Sequence, residues 1–356
     1  MKKTITLILI VTLGVAVQVA NADFTFGEPT NLGPEVNGPG EDCAACLSPN
    51  GLELYFHCEE PDGEIRVARR ASPNDQWGPS SNLGPTVNSP DYDGGPCLSA
   101  DGLRLYFFST RPGGFGTADL WVTTRATIDD SWAAPINLGA VVNTASDDFT
   151  PNLSADGLEL YFTSDRPGGF GNWDLWLTTR ATVDDSWDTP VNLGQAINTS
   201  AQETWPSISA DGLLLFFASN RSGGLGSWEL YMARRATTKD PWGPSMNLGP
   251  VVNSTTWEAG VKVSPDGSML YFNSPRPGGF GASDIWQAPI EPIVDLSGDG
   301  IVDSADMCIM VDHWGTDDSL CDIGPMPWGD GVVDVQDLIV LAEHLFEELP
   351  GQPIEP

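Results

Sequence analysis

Residues 153–176 read LSADGLELYFTSDRPGGFGNWDLW. The run LELYFT at 158–163 alternates apolar and polar side chains and is rich in aromatics, the pattern of a strand with one buried face. Asp156-Gly157 before it is a hairpin turn, because Gly tolerates positive φ. The Gly-rich SDRPGGFGN after it is a longer loop, and DLWLTTR at 174–180 returns as another strand. WDTPVNLG at 187–194 supplies a short outer segment. No helical period occurs in this region, so the unit reads as a four-stranded antiparallel sheet.

The same unit recurs, and the recurrence sets the architecture. Trp77, Trp132, Trp187 and Trp242 stand 55 residues apart. Asp101-Gly102, Asp156-Gly157, Asp211-Gly212 and Asp266-Gly267 keep that interval, and Asn50-Gly51 opens the series. RPGGFG begins at Arg111, Arg166 and Arg276, with RSGGLG at Arg221. NLG recurs at Asn31, Asn82, Asn137, Asn192 and Asn247. That makes five units, the first shortened by four residues in its HCEEPDGE loop. The first opens with an outer segment that has no inner strands before it, and the last ends after its third strand. Joining the two completes a fifth blade and removes both free edges. The fold class expected is an all-β five-bladed β-propeller over 23–290.

These phrases carry a resemblance. LSADGLELYFTSDRPGGFGNWDLW, with LSPNGLELYF and VSPDGSMLYF in other units, is similar to the WD40-like propeller repeat of TolB-type periplasmic proteins. The resemblance covers roughly 24–290, implies the fold, and says little about function.

A residue present in every blade builds blades before it catalyses. The tryptophans, the NLG phrases and the loop arginines fall under that reading, each arginine pinning its loop to a carboxylate or carbonyl. One repeated feature also suggests ligand binding. Asp42, Asp93, Asp148, Glu203 and Glu258 share a register just before the inner strand, flanked in four blades by Tyr92, Phe149, Trp205 and Trp257. In a closed ring they would surround the channel mouth and could hold a cation, a basic peptide, or sugars stacked on the rings. The plainer alternative, preferred here, is that each acid bonds backbone within its own blade. The histidines are His57, His313 and His344, and no nucleophile elbow or phosphate loop is present. A glycosidase needs two carboxylates in a cleft, and nothing singles out a pair.

The chain begins with Lys2-Lys3, an apolar run from 5 to 17 and Ala20-Asn21-Ala22. This is a secretory signal over 1–22, so the protein is expected to be exported, to the extracellular space, cell surface or periplasm, with no membrane span. A net charge of -33 repels nucleic acid and anionic lipid and favours cations. Six cysteines in an exported chain suggest disulfides. Cys308–Cys321 is the expected pair; Cys43, Cys46, Cys58 and Cys97 allow three pairings.

After Pro292 the pattern changes. DLSGDGIVDSAD places Asp295, Ser297, Asp299, Gly300, Ile301, Asp303 and Asp306 at positions 1, 3, 5, 6, 7, 9 and 12 of a calcium loop. Hard oxygens at alternate positions wrap Ca2+, Ile301 through its carbonyl, and Gly300 permits the sharp turn. A second copy carries Asp330, Val332, Asp334 and Asp337, but positions 1 and 3 fall on Met326 and Trp328; Asp322 could reach in through a lengthened loop. Apolar residues at helical spacing follow each loop. Residues 291–347 thus resemble a type I dockerin, a small α-helical calcium-binding domain, with 348–356 as an unstructured tail. The resemblance implies calcium-dependent folding and a cohesin-like or other scaffold protein as partner. The family's frequent Ser-Thr at positions 10 and 11 is replaced by Ser304-Ala305 and Val335-Gln336. Two functions stay open: an exported non-catalytic propeller that binds a protein or glycan and is tethered by its tail, or a secreted carbohydrate-active hydrolase.

Overall fold

The structure is a computed structural model. It describes residues 24–59, 63–316, 318, 320–324 and 332–347. The signal segment 1–22, Met326, Trp328, Asp330 and the tail 348–356 lie outside the described residues. The chain divides into two compact units, one over 25–292 and one over most of 293–356.

The larger unit is a five-bladed propeller. Blade 1 is Asp42–Leu47, Glu53–Cys58, Glu64–Arg69 and Ser81–Asn82, each strand antiparallel to the next. Blades 2, 3 and 4 repeat this with inner strands Asp93–Leu98, Asp148–Leu153 and Glu203–Ile208. Blade 5 combines Ala259–Val263, Met269–Ser274 and Asp284–Pro292 with Phe24–Phe26 and Thr30–Asn31 from the start of the chain. The ring is closed as the repeat count requires: Thr30 pairs with Gln287 and Asn31 with Trp286. Asn37 holds both backbone groups of Ile285, accepting at 2.8 Å and donating at 3.1 Å. No helix of the described residues is long and apolar enough to cross a membrane.

Apolar side chains fill the spaces between neighbouring blades. Tyr55, Ile65, Leu105 and Phe107 share one core, and Val36, Phe56, Tyr271 and Ile285 form another across the closure. The repeated tryptophans have structural work. Arg70, Arg125, Arg180 and Arg235 lie 4.2–4.5 Å above Trp77, Trp132, Trp187 and Trp242. Each of these arginines also donates to the carbonyl of its own hairpin-turn glycine. The last glycine of the PGGFG loop has a different reason. A Cβ on Gly171 would collide with the Ala201 carbonyl of the next blade, and one on Gly281 with the Gly40 carbonyl across the closure.

In the smaller unit, helices α1 (Ser304–Asp312) and α2 (Val335–Glu343) start from matching capping boxes, Asp303 with Asp306 and Asp334 with Asp337. Val302, Met310, Cys321, Val333 and Leu341 are fully buried between them. The expected Cys308–Cys321 disulfide is absent, and all six cysteines are free. Cys308 lies on the exposed face of α1 while Cys321 is in the core, so the two sulfurs do not face one another.

Candidate functional site

The five register acids are not an open ring at the mouth. Asp42, Asp93, Asp148, Glu203 and Glu258 are each at most 1% exposed. In four blades the loop arginine seats on the acid: Arg111 on Asp93, Arg166 on Asp148, Arg221 on Glu203 at 3.1 Å and Arg276 on Glu258 at 3.2 Å. The same guanidinium donates to a carbonyl, that of Val142 at 2.6 Å and Ile197 at 2.7 Å. A carboxylate is tolerated at such depth only when paired and hydrogen-bonded. In blades 2 to 5 the acid and its arginine therefore hold their own blade together rather than meet a ligand. Burial pushes the Asp148 carboxyl above its usual range.

Near the start of the inner strands the second strands and their loops bring rings together, joined there by Phe149 and Trp205 of the inner strands themselves. Each inner strand carries a bulge in one register, with positive φ at Ala44, Gly95, Thr150, Trp205 and Gly260. Bulges re-aim side chains, and a bulky residue at φ +56° such as Trp205 is rare. Its indole stacks on His57 at 5.9 Å and 13°. His57 meets Tyr92 edge-on at 5.8 Å, Tyr92 stacks on Phe108 at 5.5 Å, and the row runs on through Phe149 to Trp173. Blades 1 to 4 thus contribute to one surface of rings, half-buried except for His57. Tyr92 and Trp205 belong to it; Trp257 is half-buried beside Glu258. His57, Phe108 and Trp173 were not singled out from the sequence, because nothing local marks a residue that meets its partners across the channel.

His57 is 1% exposed, and burial lowers its pKa to about 4 from 6.5. The unfolded chain takes up a proton near pH 6.5 that the folded chain accepts only near pH 4. Stability from this group is complete above pH 6.5 and is lost as pH falls to about 4. At pH 5 the loss is about 2 kcal/mol. His57→Phe should remove it, so that the stability gap between variant and wild type in urea shifts by about that amount between pH 7 and pH 5. An unchanged gap refutes the assignment.

Further along the same strands, a cavity of about 200 Å³ draws its lining from all five blades and so lies on the axis. Cys46, Cys97, Asn152, Ser207 and Lys262 occupy one register there, and no carboxylate lines it. Neighbouring blades are linked through this register. Leu98 N–H donates to Cys46 Sγ at 3.3 Å, Leu153 N–H to Cys97 Sγ at 3.3 Å, and Ile208 N–H to Asn152 Oδ1 at 2.8 Å. The Cys46 and Cys97 thiols themselves donate to the Leu47 and Leu98 carbonyls, both at 3.8 Å.

Among the described residues, His313, Asp318 and Cys321 form one cluster of potential metal ligands, and two further arrangements have metal-ligand chemistry. Ligand atoms of Cys43, His57 and Glu59 lie within 4.8 Å of one another. There Gly95 N–H donates to His57 Nδ1 at 3.4 Å, which puts the imidazole proton on Nε2; a metal on Nδ1 would have to displace that bond. The second is the calcium-type loop. Asp295 accepts from Gly298 N–H and Gly300 N–H, both at 2.8 Å, and Asp306 accepts from Ser297 N–H at 2.8 Å and Asp303 N–H at 2.7 Å. Asp299 and Asp303 cap the N–H groups of Ile301 and Ala305. In the second copy Asp337 accepts from Gly324 at 2.7 Å and Asp334 at 2.6 Å, so Gly324 stands where Ser297 stands in the first. Asp322, two residues earlier and 5% exposed, then occupies the place of Asp295, in a loop four residues longer.

No family model matches the chain, and no curated protein matches its sequence. Solved structures similar to it include TolB from Acinetobacter baumannii, 15% identical with a TM-score of 0.43 over 71% of this chain and 55% of that one. This chain thus spans about half of that TolB. Others are an α-L-arabinofuranosidase from Lactobacillus brevis (14%, TM-score 0.48, 73% and 91%) and a thermostable family-43 glycoside hydrolase (14%, TM-score 0.49, 74% and 92%). At such identities the likeness concerns fold alone.

Proposed function

We propose that this chain is an exported, non-catalytic binding protein. Its propeller holds a glycan against the rings at the channel mouth, and its tail folds around calcium and tethers it to a scaffold protein. The observation that carries the reading is the row of half-buried rings Tyr92, Phe108, Phe149 and Trp173, linked to the half-buried Trp205 through the buried His57. Sugar rings present flat C–H faces that pack on aromatic faces, and such surface on a soluble protein marks a binding site. The repeated carboxylates, which a hydrolase would need facing that ligand in a pair, are buried, four of them against their arginines.

For the tail, the supporting features are the donor set and its shape. Asp295, Ser297, Asp299, the Ile301 carbonyl, Asp303 and Asp306 would hold one ion; Asp322, the Val332 carbonyl, Asp334 and Asp337 would contribute to a second, with Asp330 included on sequence alone. Calcium would neutralise carboxylates gathered into twelve residues.

The test is calorimetric titration of the full chain with a panel of neutral oligosaccharides. Saturable binding is expected, weakened about five- to tenfold in Phe149→Ala and again in Trp173→Ala. Absence of binding across the panel defeats the glycan reading. New reducing ends appearing in the same solutions would replace it with the hydrolase alternative.

A further inference from the structure

Four blades seat their loop arginine in one way. The terminal nitrogen bonds both the register acid and the carbonyl six residues before it, and Nε bonds a serine, as Arg166 does with Asp148, Val142 and Ser164. Arg111, Arg221 and Arg276 repeat this on Ser109, Ser219 and Ser274. Blade 1 keeps the acceptors in the same register, Asp42 and Val36, with Cys58 in place of the serine. Its sequence has Glu60, which lies outside the described residues, where the arginine would stand. Asp42 is 1% exposed, accepts from Gly38 N–H at 2.5 Å as its counterparts do, and takes a thiol hydrogen from Cys58 at 2.6 Å where Glu203 and Glu258 take a hydroxyl hydrogen from Ser219 and Ser274; among the described residues no guanidinium bonds it. A cavity of about 610 Å³ opens beside it, lined by Glu35, Val36, Asp42, Cys58, Arg66 and Ser80 among others.

We propose that blade 1 is a receptor for a guanidinium group: the arginine side chain of a partner protein seats in this cavity on Asp42 and the Val36 carbonyl, as the chain's own arginines seat in blades 2 to 5. A buried carboxylate without a cation is costly, and burial accordingly pushes the Asp42 carboxyl upward. Glu35 lines the cavity and Asp284 adds a second negative field; Arg66 is the positive charge facing them. Its guanidinium is engaged elsewhere, on the Ser80 hydroxyl and carbonyl, both at 3.2 Å. A planar fork reaches carboxylate and carbonyl together, which an ammonium does less well. The net charge of -33 draws basic partners to the surface. This site shares none of the rings at the channel mouth.

The experiment titrates the full chain with N-acetyl-arginine amide and, in parallel, N-acetyl-lysine amide. One saturable arginine site is expected, with lysine at least about fivefold weaker. Asp42→Asn should lose about tenfold or more, with thermal unfolding recorded to establish that it folds. Cys58→Ser, which restores the serine of the other blades, should tighten binding and serves if Asp42→Asn does not fold. The proposal is overturned by no saturation, by equal affinity for lysine, by an affinity indifferent to Cys58→Ser or undiminished in a folded Asp42→Asn, or by binding that emerges only in Arg66→Leu.

Discussion

Arg166→Met is expected to destabilise the propeller by about 3–5 kcal/mol, while Arg69→Met loses less than about 1 kcal/mol. Both arginines pair with a carboxylate, but the two environments differ. Arg166 and Asp148 are 9% and 0% exposed, and the guanidinium also bonds Val142 and Ser164 and lies over the Phe162 ring at 4.9 Å. Removing it leaves a carboxylate in the interior with its cation gone and water unable to replace it. The Arg69 side chain is 59% exposed, so its bond to Glu53 competes with solvent and is screened by salt. The double variant Asp148→Asn/Arg166→Met should recover part of the loss, because the charge is removed with its partner. Urea unfolding measures all three. Arg166→Met within about 1 kcal/mol of wild type would mean the repeated pair is not what holds the loops.

Calcium removal should act on the other unit alone. With a chelator, α1 and α2 are expected to lose their protection from hydrogen exchange while the propeller strands keep theirs. The unit is small, its helices have nine residues each, and isolated helices of that length are marginal in water. Its apolar core is of a size that seldom suffices without a metal or a disulfide, and the cysteines are free. Asp295, Asp299, Asp303 and Asp306 repel one another within a single loop when no cation screens them. Asp306→Ala should mimic the chelator, since Asp306 also holds the N–H groups of Ser297 and Asp303. Helices that remain protected in chelator would show that the loop's own hydrogen bonds suffice and would end the calcium reading.

The contrast between predicted and observed features follows the range of the interactions. The blades were legible because alternation, Asp-Gly turns and a 55-residue period are local signals. Ring closure followed from the mismatch of the two chain ends. The loop arginines were read as pins, and they are. The register acids were legible as a set, and the preferred reading holds, since each accepts from a backbone N–H four residues before it; that an arginine 18 residues away seats on four of them is a tertiary contact. Cys308 and Cys321 are close in sequence, yet the helix between them turns one sulfur outward.

From its sequence alone the protein is a five-fold repeat with an acidic loop-helix tail, because strand pattern, turn chemistry and liganding spacings depend on neighbours along the chain. Folding around an axis decided the rest. It set Trp205 over His57, 148 residues earlier, and it lined a central cavity from five blades without a carboxylate. It also left Asp42 in blade 1 with a thiol for the serine hydroxyl of its counterparts and, among the described residues, without the guanidinium they hold. Such contacts arise between residues that no local pattern relates, and only the closed ring brings them together.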